Sequence, residues 1–224
     1  MRCDKREMNM SRTNRRKFLI ASSSLGLSAS LSTGLVFNAS AQSGGSQEAE
    51  QFMAGVLDDA NTIMALGTLQ ERLNGIQALV DEFGDLRRTG RFTLGQYARQ
   101  ISDEQAKEFY PLFTRYATAI YQQILSEFSG NQLSVTGSIQ RNERDFIVNS
   151  RIINAKPGSG ISGTIIQWRL LRGSKGFKIV DAGADNIWLA IEQRSQFTSI
   201  IANNGGGTRG IDVLINQLKA RLDG

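Results

Sequence analysis

The 224-residue chain contains no histidine, one cysteine and two prolines. Without imidazoles and with a single thiol, the His and Cys ligand sets that hold zinc are excluded, as is a disulfide within the chain. Catalysis by a histidine-based triad is excluded with them. The prolines, Pro111 and Pro157, form no proline-rich spacer between domains. Internal repeats and low-complexity linkers are missing as well. The one glycine run, Gly205-Gly206-Gly207, follows a helical pattern rather than a strand, which is the wrong context for a phosphate-binding loop. No cofactor is expected.

A surplus of one charge sign is also lacking once the N-terminus is set apart. Residues 14–20 read Asn-Arg-Arg-Lys-Phe-Leu-Ile, and Phe18 to Phe37 carry no charge and are diluted with Ser, Gly and Ala. The run ends in Ala39-Ser40-Ala41. A basic segment, a weakly apolar stretch and a small-residue cleavage pattern predict a secretory leader cut after Ala41. The paired arginine favours the twin-arginine route. The uncharged run is long enough to span a bilayer, but its Ser and Gly content and the cleavage pattern favour a leader. Residues 1–41 are thus expected to be removed, leaving residues 42–224 as a single domain in the periplasm.

Seven of the 26 Lys and Arg residues and two of the 21 acids lie in this leader, leaving 19 of each and a formal net charge of zero. The sequence pI of about 9.6 therefore belongs to the leader. A nucleic-acid partner, which requires a surplus of cations facing phosphate, is not expected. Cys3 precedes the apolar run, so it is no lipid-modified residue at the cleavage site. Residues 42–224 are enough for one domain with a sizeable core.

Phe52, Val56, Ala60 and Ile63 fall on one face of a first helix. Gly67 and Thr68 interrupt it, and Thr68 is placed to cap a second helix carrying Leu69, Leu73, Ile76, Val80 and Phe83. Ser102-Asp-Glu-Gln105 is a capping-box pattern opening a long helix with Phe109, Phe113, Tyr116, Ile120 and Ile124 on one face. Pro111 inside it should kink the helix or delay its regular start. Strand signals follow. Leu133, Val135, Gly137 and Ile139 alternate with polar residues, and so do Phe146, Val148, Ser150 and Ile152. A third run spans Ile161 to Leu171, and a fourth spans Phe177 to Val180. Their lengths and turn-rich boundaries predict an antiparallel meander. Phe197, Ile200 and Ile201 suggest a short helix stopped by Asn203–Gly207, and Ile211, Leu214, Ile215 and Leu218 a last one. Helices, then a sheet, then helices predict an α+β domain with helices over one sheet face.

Several local patterns coincide in order and spacing. Residues 91–99 read Arg-Phe-Thr-Leu-Gly-Gln-Tyr-Ala-Arg, and residues 176–181 read Gly-Phe-Lys-Ile-Val-Asp, followed by Asn186-Ile-Trp-Leu189. Then come Arg194-Ser-Gln-Phe-Thr-Ser-Ile-Ile201 and Gly210-Ile-Asp-Val-Leu-Ile-Asn-Gln-Leu218. Together they resemble the MlaC family, the soluble periplasmic component of a phospholipid-trafficking ABC system. That family also includes toluene-tolerance auxiliary proteins and a hopanoid-associated branch. The chain departs from it at Ala98, where tryptophan is common, and at Asp185-Asn-Ile-Trp188, where an acid and a Gly-Val-Ser stretch are frequent. These departures leave the cargo open.

The resemblance implies a strongly curved, four-stranded antiparallel sheet of NTF2-like architecture, packed against several helices and enclosing an apolar lipid pocket. It implies a phospholipid ligand and transient contact with membrane complexes: an MlaFEDB-like ABC assembly at the inner membrane and an MlaA–porin-like complex at the outer membrane. A monomer without catalytic activity is expected. From the helices, Leu94, Tyr97, Phe109, Phe113 and Tyr116 are candidates to line the pocket. From the sheet the candidates are Val135, Val148, Ile152, Ile166, Trp168 and Ile179. Each is equally a candidate for ordinary core, and the resemblance alone makes the set a ligand site. Arg87, Arg88, Arg91 and Arg99 form a basic cluster suited to a lipid phosphate, an acidic partner surface or a solvated helix face. A hopanoid carrier, a structural adaptor with a solid interior, and a pocket enzyme using Asp181 and Asp185 with Tyr97 or Tyr121 are the alternatives.

Overall fold

The computed structural model describes residues 45–127, 131–155, 163–184 and 187–223. The expected leader, Cys3, Pro157 and the Asp185-Asn186 departure lie outside the described residues.

Helix α1, Gln47–Met64, starts at Ser46, whose hydroxyl accepts from the Ala49 amide. Its buried stripe is Ala49, Met53, Val56, Leu57 and Ala60. Helix α2, Leu69–Phe83, opens on a complete capping box: the Glu71 amide donates to the Thr68 hydroxyl, and the Thr68 amide donates back to the Glu71 carboxylate. Helix α3, Leu86–Thr93, is capped by Asp85 and runs into a 3₁₀ turn at Gly95–Arg99. Helix α4, Asp103–Glu127, begins at the predicted Ser102–Gln105 box, with both reciprocal bonds formed at 3.2 Å. It continues through Pro111, which lies within the helix and is exposed.

Four strands follow as a meander: β1 Gln132–Asn142, β2 Asp145–Ile153, β3 Ile165–Gly173 and β4 Gly176–Ala184. A fifth strand, β5 Ile187–Trp188, corrects the expected count of four. It pairs antiparallel with Gly183 and Ala184 before the chain enters helix α5, Leu189–Asn203. Two residues are too few for a period-2 pattern to register in sequence. Helix α5 is also longer than the expected short helix. Its first half reads Leu189-Ala-Ile-Glu-Gln-Arg-Ser-Gln196, with Ile191 exposed and the polar Gln193 buried, so no clean apolar stripe announces it. Helix α6, Gly207–Asp223, ends the described chain. The turn before it places Gly205, Gly206 and Gly207 at φ of 91°, 66° and 49°, a left-handed run that side-chain-bearing residues resist.

The sheet is antiparallel throughout, in the order β1-β2-β3-β4-β5. Phe146, Val148, Ser150 and Ile152 of β2 are all buried on one face, as their alternation predicts. In β1 the alternation breaks. A bulge between Val135 and Gly137 inserts Thr136, flipping the parity so that Ile139 turns out to solvent at 43% exposure. Two further register shifts lie at Arg141 in β1, between Gln140 and Asn142, and at Val180 in β4, opposite Arg169 and Leu170.

The interior is divided into two apolar clusters. One joins α3 to α6 through Phe109, Phe113, Phe197, Ile201, Ile211 and Leu214. The other joins α1 to the sheet through Met53, Leu57, Phe146, Val148, Leu170 and Phe177.

Candidate functional site

Where the two clusters approach each other, packing is incomplete. A cavity of about 170 Å³ lies between them. Met53, Val56, Leu57 and Ala60 of α1 line it, with Ile76, Leu79 and Val80 of α2, then Gly84 and Leu86 at the start of α3. Tyr121 and Ile124 of α4 close one side. The sheet contributes Leu133, Ile166, Trp168, Ile179, Ala182, Gly183 and Ala184, and Leu189 opens α5. None of these side chains carries a charge. Protein interiors pack with few voids larger than a water molecule, and an apolar cavity of this size stays dry and accepts an apolar guest.

The wall is held by polar groups placed just behind it. Trp168 faces the cavity with its ring, and its indole N–H donates to the Ser150 hydroxyl at 2.9 Å. Ser150 is fully buried and donates in turn to the Ile166 carbonyl. Asp181, 4% exposed, fixes the strand-to-helix corner. Its Oδ1 accepts from the Ala182 amide at 2.9 Å and the Ala190 amide at 3.0 Å. This ties β4 to the first turn of α5, where Trp188 supplies no side-chain cap of its own. Burial pushes the Asp181 carboxyl up to about 6, while the two amides and Arg169 pull it the other way. Arg169 itself forms a two-bond pair with Asp145, at 3.1 and 2.9 Å.

The residues expected to line a pocket fall in three places. Ile166, Trp168 and Ile179 line the cavity. Val148 and Ile152 are buried in the sheet cluster, and Val135 packs half-buried against it. Leu94, Tyr97, Phe109 and Phe113 are buried in the helical cluster, with Tyr116 half-buried against them. There Phe109 stacks on Phe113 with ring centroids 5.8 Å apart, and Phe197 meets both rings edge-on. The cavity walls from α1 and α2 were absent from that candidate set. Their signal was present, since Val56, Ala60, Ile76 and Val80 stand on the apolar faces of their helices. Nothing in the pattern says that those faces border a void.

The basic cluster lies on α3 and the following turn. Arg87 places its guanidinium 4.5 Å from the Tyr110 ring centroid, and Arg88 pairs with Asp85 at 3.1 Å. Arg91 and Arg99 are exposed. Of the groups considered for a pocket enzyme, Asp185 lies outside the described residues, Tyr97 is buried in the helical cluster, and Asp181 holds backbone amides. Among the described residues no group of three or more Cys, Asp or Glu is gathered to hold a metal. No described helix is long and apolar enough to cross a membrane.

Comparison with known proteins agrees with this architecture. No curated protein matches the sequence at a significant level. The chain is similar in fold to the solved structure of the phospholipid-binding protein from Ralstonia solanacearum in complex with a phospholipid. That match has a TM-score of 0.64 at 21% identity and covers 79% of this chain and 97% of the other. A family model described as MlaC protein matches residues 51–220, from within α1 to within α6. The chain belongs to the MlaC family.

Proposed function

We propose that this protein is a periplasmic lipid carrier. It takes acyl chains of a phospholipid into the cavity between α1, α2, α4 and the sheet, and carries them between membranes without changing them chemically. The observation that carries this reading is the uncharged cavity between two separate apolar clusters. The phospholipid held by the Ralstonia structure of similar fold supports it.

The physical need for such a carrier is large. Each methylene removed from water is worth about 0.8 kcal/mol, so exposing a sixteen-carbon chain costs on the order of 12 kcal/mol. A diacyl lipid crossing the aqueous space alone faces roughly twice that. An apolar cavity removes most of this barrier. A void of about 170 Å³ seats a segment of one chain. A whole diacyl lipid therefore requires the helical cluster to move away from α1 and the sheet, with the division between the two clusters as the seam along which they part. The donor and acceptor are an ABC assembly at the inner membrane and a porin-associated complex at the outer membrane. The basic residues of α3 serve as a headgroup or docking surface. Export uses the leader ending at Ala41.

Native mass spectrometry of the mature protein purified from the periplasm, with lipid extraction from the same sample, tests the reading. A stoichiometric diacyl phospholipid adduct is the expected result. A hopanoid adduct would keep the carrier and change its cargo. Protein that is empty and stays empty after incubation with liposomes overturns the proposal.

A further inference from the structure

Two residues of the cavity lining have a polar group on their side chain, Trp168 and Tyr121. The indole is committed to Ser150. Tyr121 makes no hydrogen bond among the described residues, and the causes that shift its ionisation are burial and the charge of Asp181, with no hydrogen-bonding group among them. Burial comes first and pushes the phenol above its ordinary value, so it remains an O–H donor at every physiological pH. Tyr121 is half-buried, and a tyrosine hydroxyl among apolar neighbours ordinarily finds a partner. Here the helix turn that places Ile124 on the wall also places Tyr121 there, one turn earlier on α4, with its ring among apolar neighbours and its hydroxyl uncommitted.

Resting on the carrier reading above, we propose that the Tyr121 hydroxyl donates a hydrogen bond to an ester carbonyl oxygen of the bound lipid and so fixes how deep the acyl chain sits. The chemistry of the wall selects this acceptor. A neutral phenol suits a neutral oxygen, and no cation lines the cavity to balance a phosphate. Among the groups of a diacyl lipid, the ester carbonyl is the acceptor attached directly to the chain that the cavity takes in. The remaining wall contacts are non-directional, so they fix chain volume and leave depth unspecified.

The test compares diester and diether phosphatidylglycerol of equal chain length, which differ in the carbonyl oxygens alone. Binding of each to the delipidated wild type and to Tyr121→Phe is measured by displacement of a fluorescent lipid. The wild type is expected to prefer the diester about 5- to 20-fold. Tyr121→Phe is expected to bind both lipids as the wild type binds the diether. The melting temperature of empty Tyr121→Phe should equal or exceed that of the wild type, because the variant deletes an unpartnered hydroxyl. A preference that survives in Tyr121→Phe, a wild type indifferent to the carbonyl, or a lowered melting temperature each overturns the contact. A wild type that binds neither lipid overturns the carrier reading and this contact with it.

Discussion

Phe113 shows what a single side chain contributes in the helical cluster. It has no exposed surface, stacks on Phe109 and meets Phe197 edge-on. Its ring also occupies the space that a side chain at position 90 would need: a Cβ on Gly90 would lie 2.8 Å from the Phe113 ring. The two positions therefore fit each other, and α3 approaches α4 because Gly90 is bare. Phe113→Ala is expected to destabilise the domain by about 3–5 kcal/mol, read as a lowered urea midpoint at unchanged slope. Gly90→Ala should cost less, about 1–3 kcal/mol, since it overpacks rather than empties the site. Sequence marks Phe113 as inward-facing through its spacing with Phe109 and Tyr116. It carries no sign that the ring meets a glycine of another helix, because that contact spans separate elements.

At the scale of elements, Asp181 is the joint between β4 and α5. Its carboxyl value, raised to about 6, sets the sign of its pH effect. Between about pH 4 and 6 the folded protein holds a proton on Asp181 that the unfolded chain has lost, so this group stabilises the fold as pH falls through that window. Above about 6 the buried charge is a cost, partly offset by the two amides and by Arg169. Asp181→Asn keeps an oxygen for both amides and removes the charge. Its stability relative to wild type is expected to be greater at pH 7.5 than at pH 4.5, by up to about 2–3 kcal/mol. Urea unfolding at the two pH values measures this, and an equal difference at both would sink the assignment. Sequence ends the fourth strand at Val180, whereas β4 runs on through Asp181 to Ala184. It does not foretell the second amide, Ala190, nine residues on and beyond an extra strand. The capping boxes at Thr68 and Ser102 were legible because both partners sit three residues apart. The Val135–Gly137 bulge was not, because one inserted residue inverts an alternation that otherwise reads as regular.

At the scale of the whole molecule, the cavity and the two clusters form one design: a stable helical half, a stable sheet half, and a gap between them. Filling the gap should therefore separate stability from binding. Ala60→Leu adds carbons from α1 into the void. It is expected to raise stability by about 0.5–2 kcal/mol while lowering the lipid bound per protein. Thermal melting and lipid extraction from the same preparation read the two effects, and unchanged lipid content would place the ligand elsewhere. The sequence by itself determined helices α1, α2, α4 and α6, the four longer strands, the capping boxes and many of the faces that turn inward, but not α3 or the length of α5, and its spaced motifs already resembled the family to which the chain belongs. These follow from periodicity and from contacts a few residues apart, which a linear pattern records. Tertiary structure decided which inward faces meet and which stand off. Leu94, Tyr97, Phe109 and Phe113 close into solid core, while Val56, Ile76, Tyr121 and Trp168 border empty space. A packed face and a lined one have the same apolar spacing, and only the distance at which α2 and α4 rest from α1 and the sheet tells them apart.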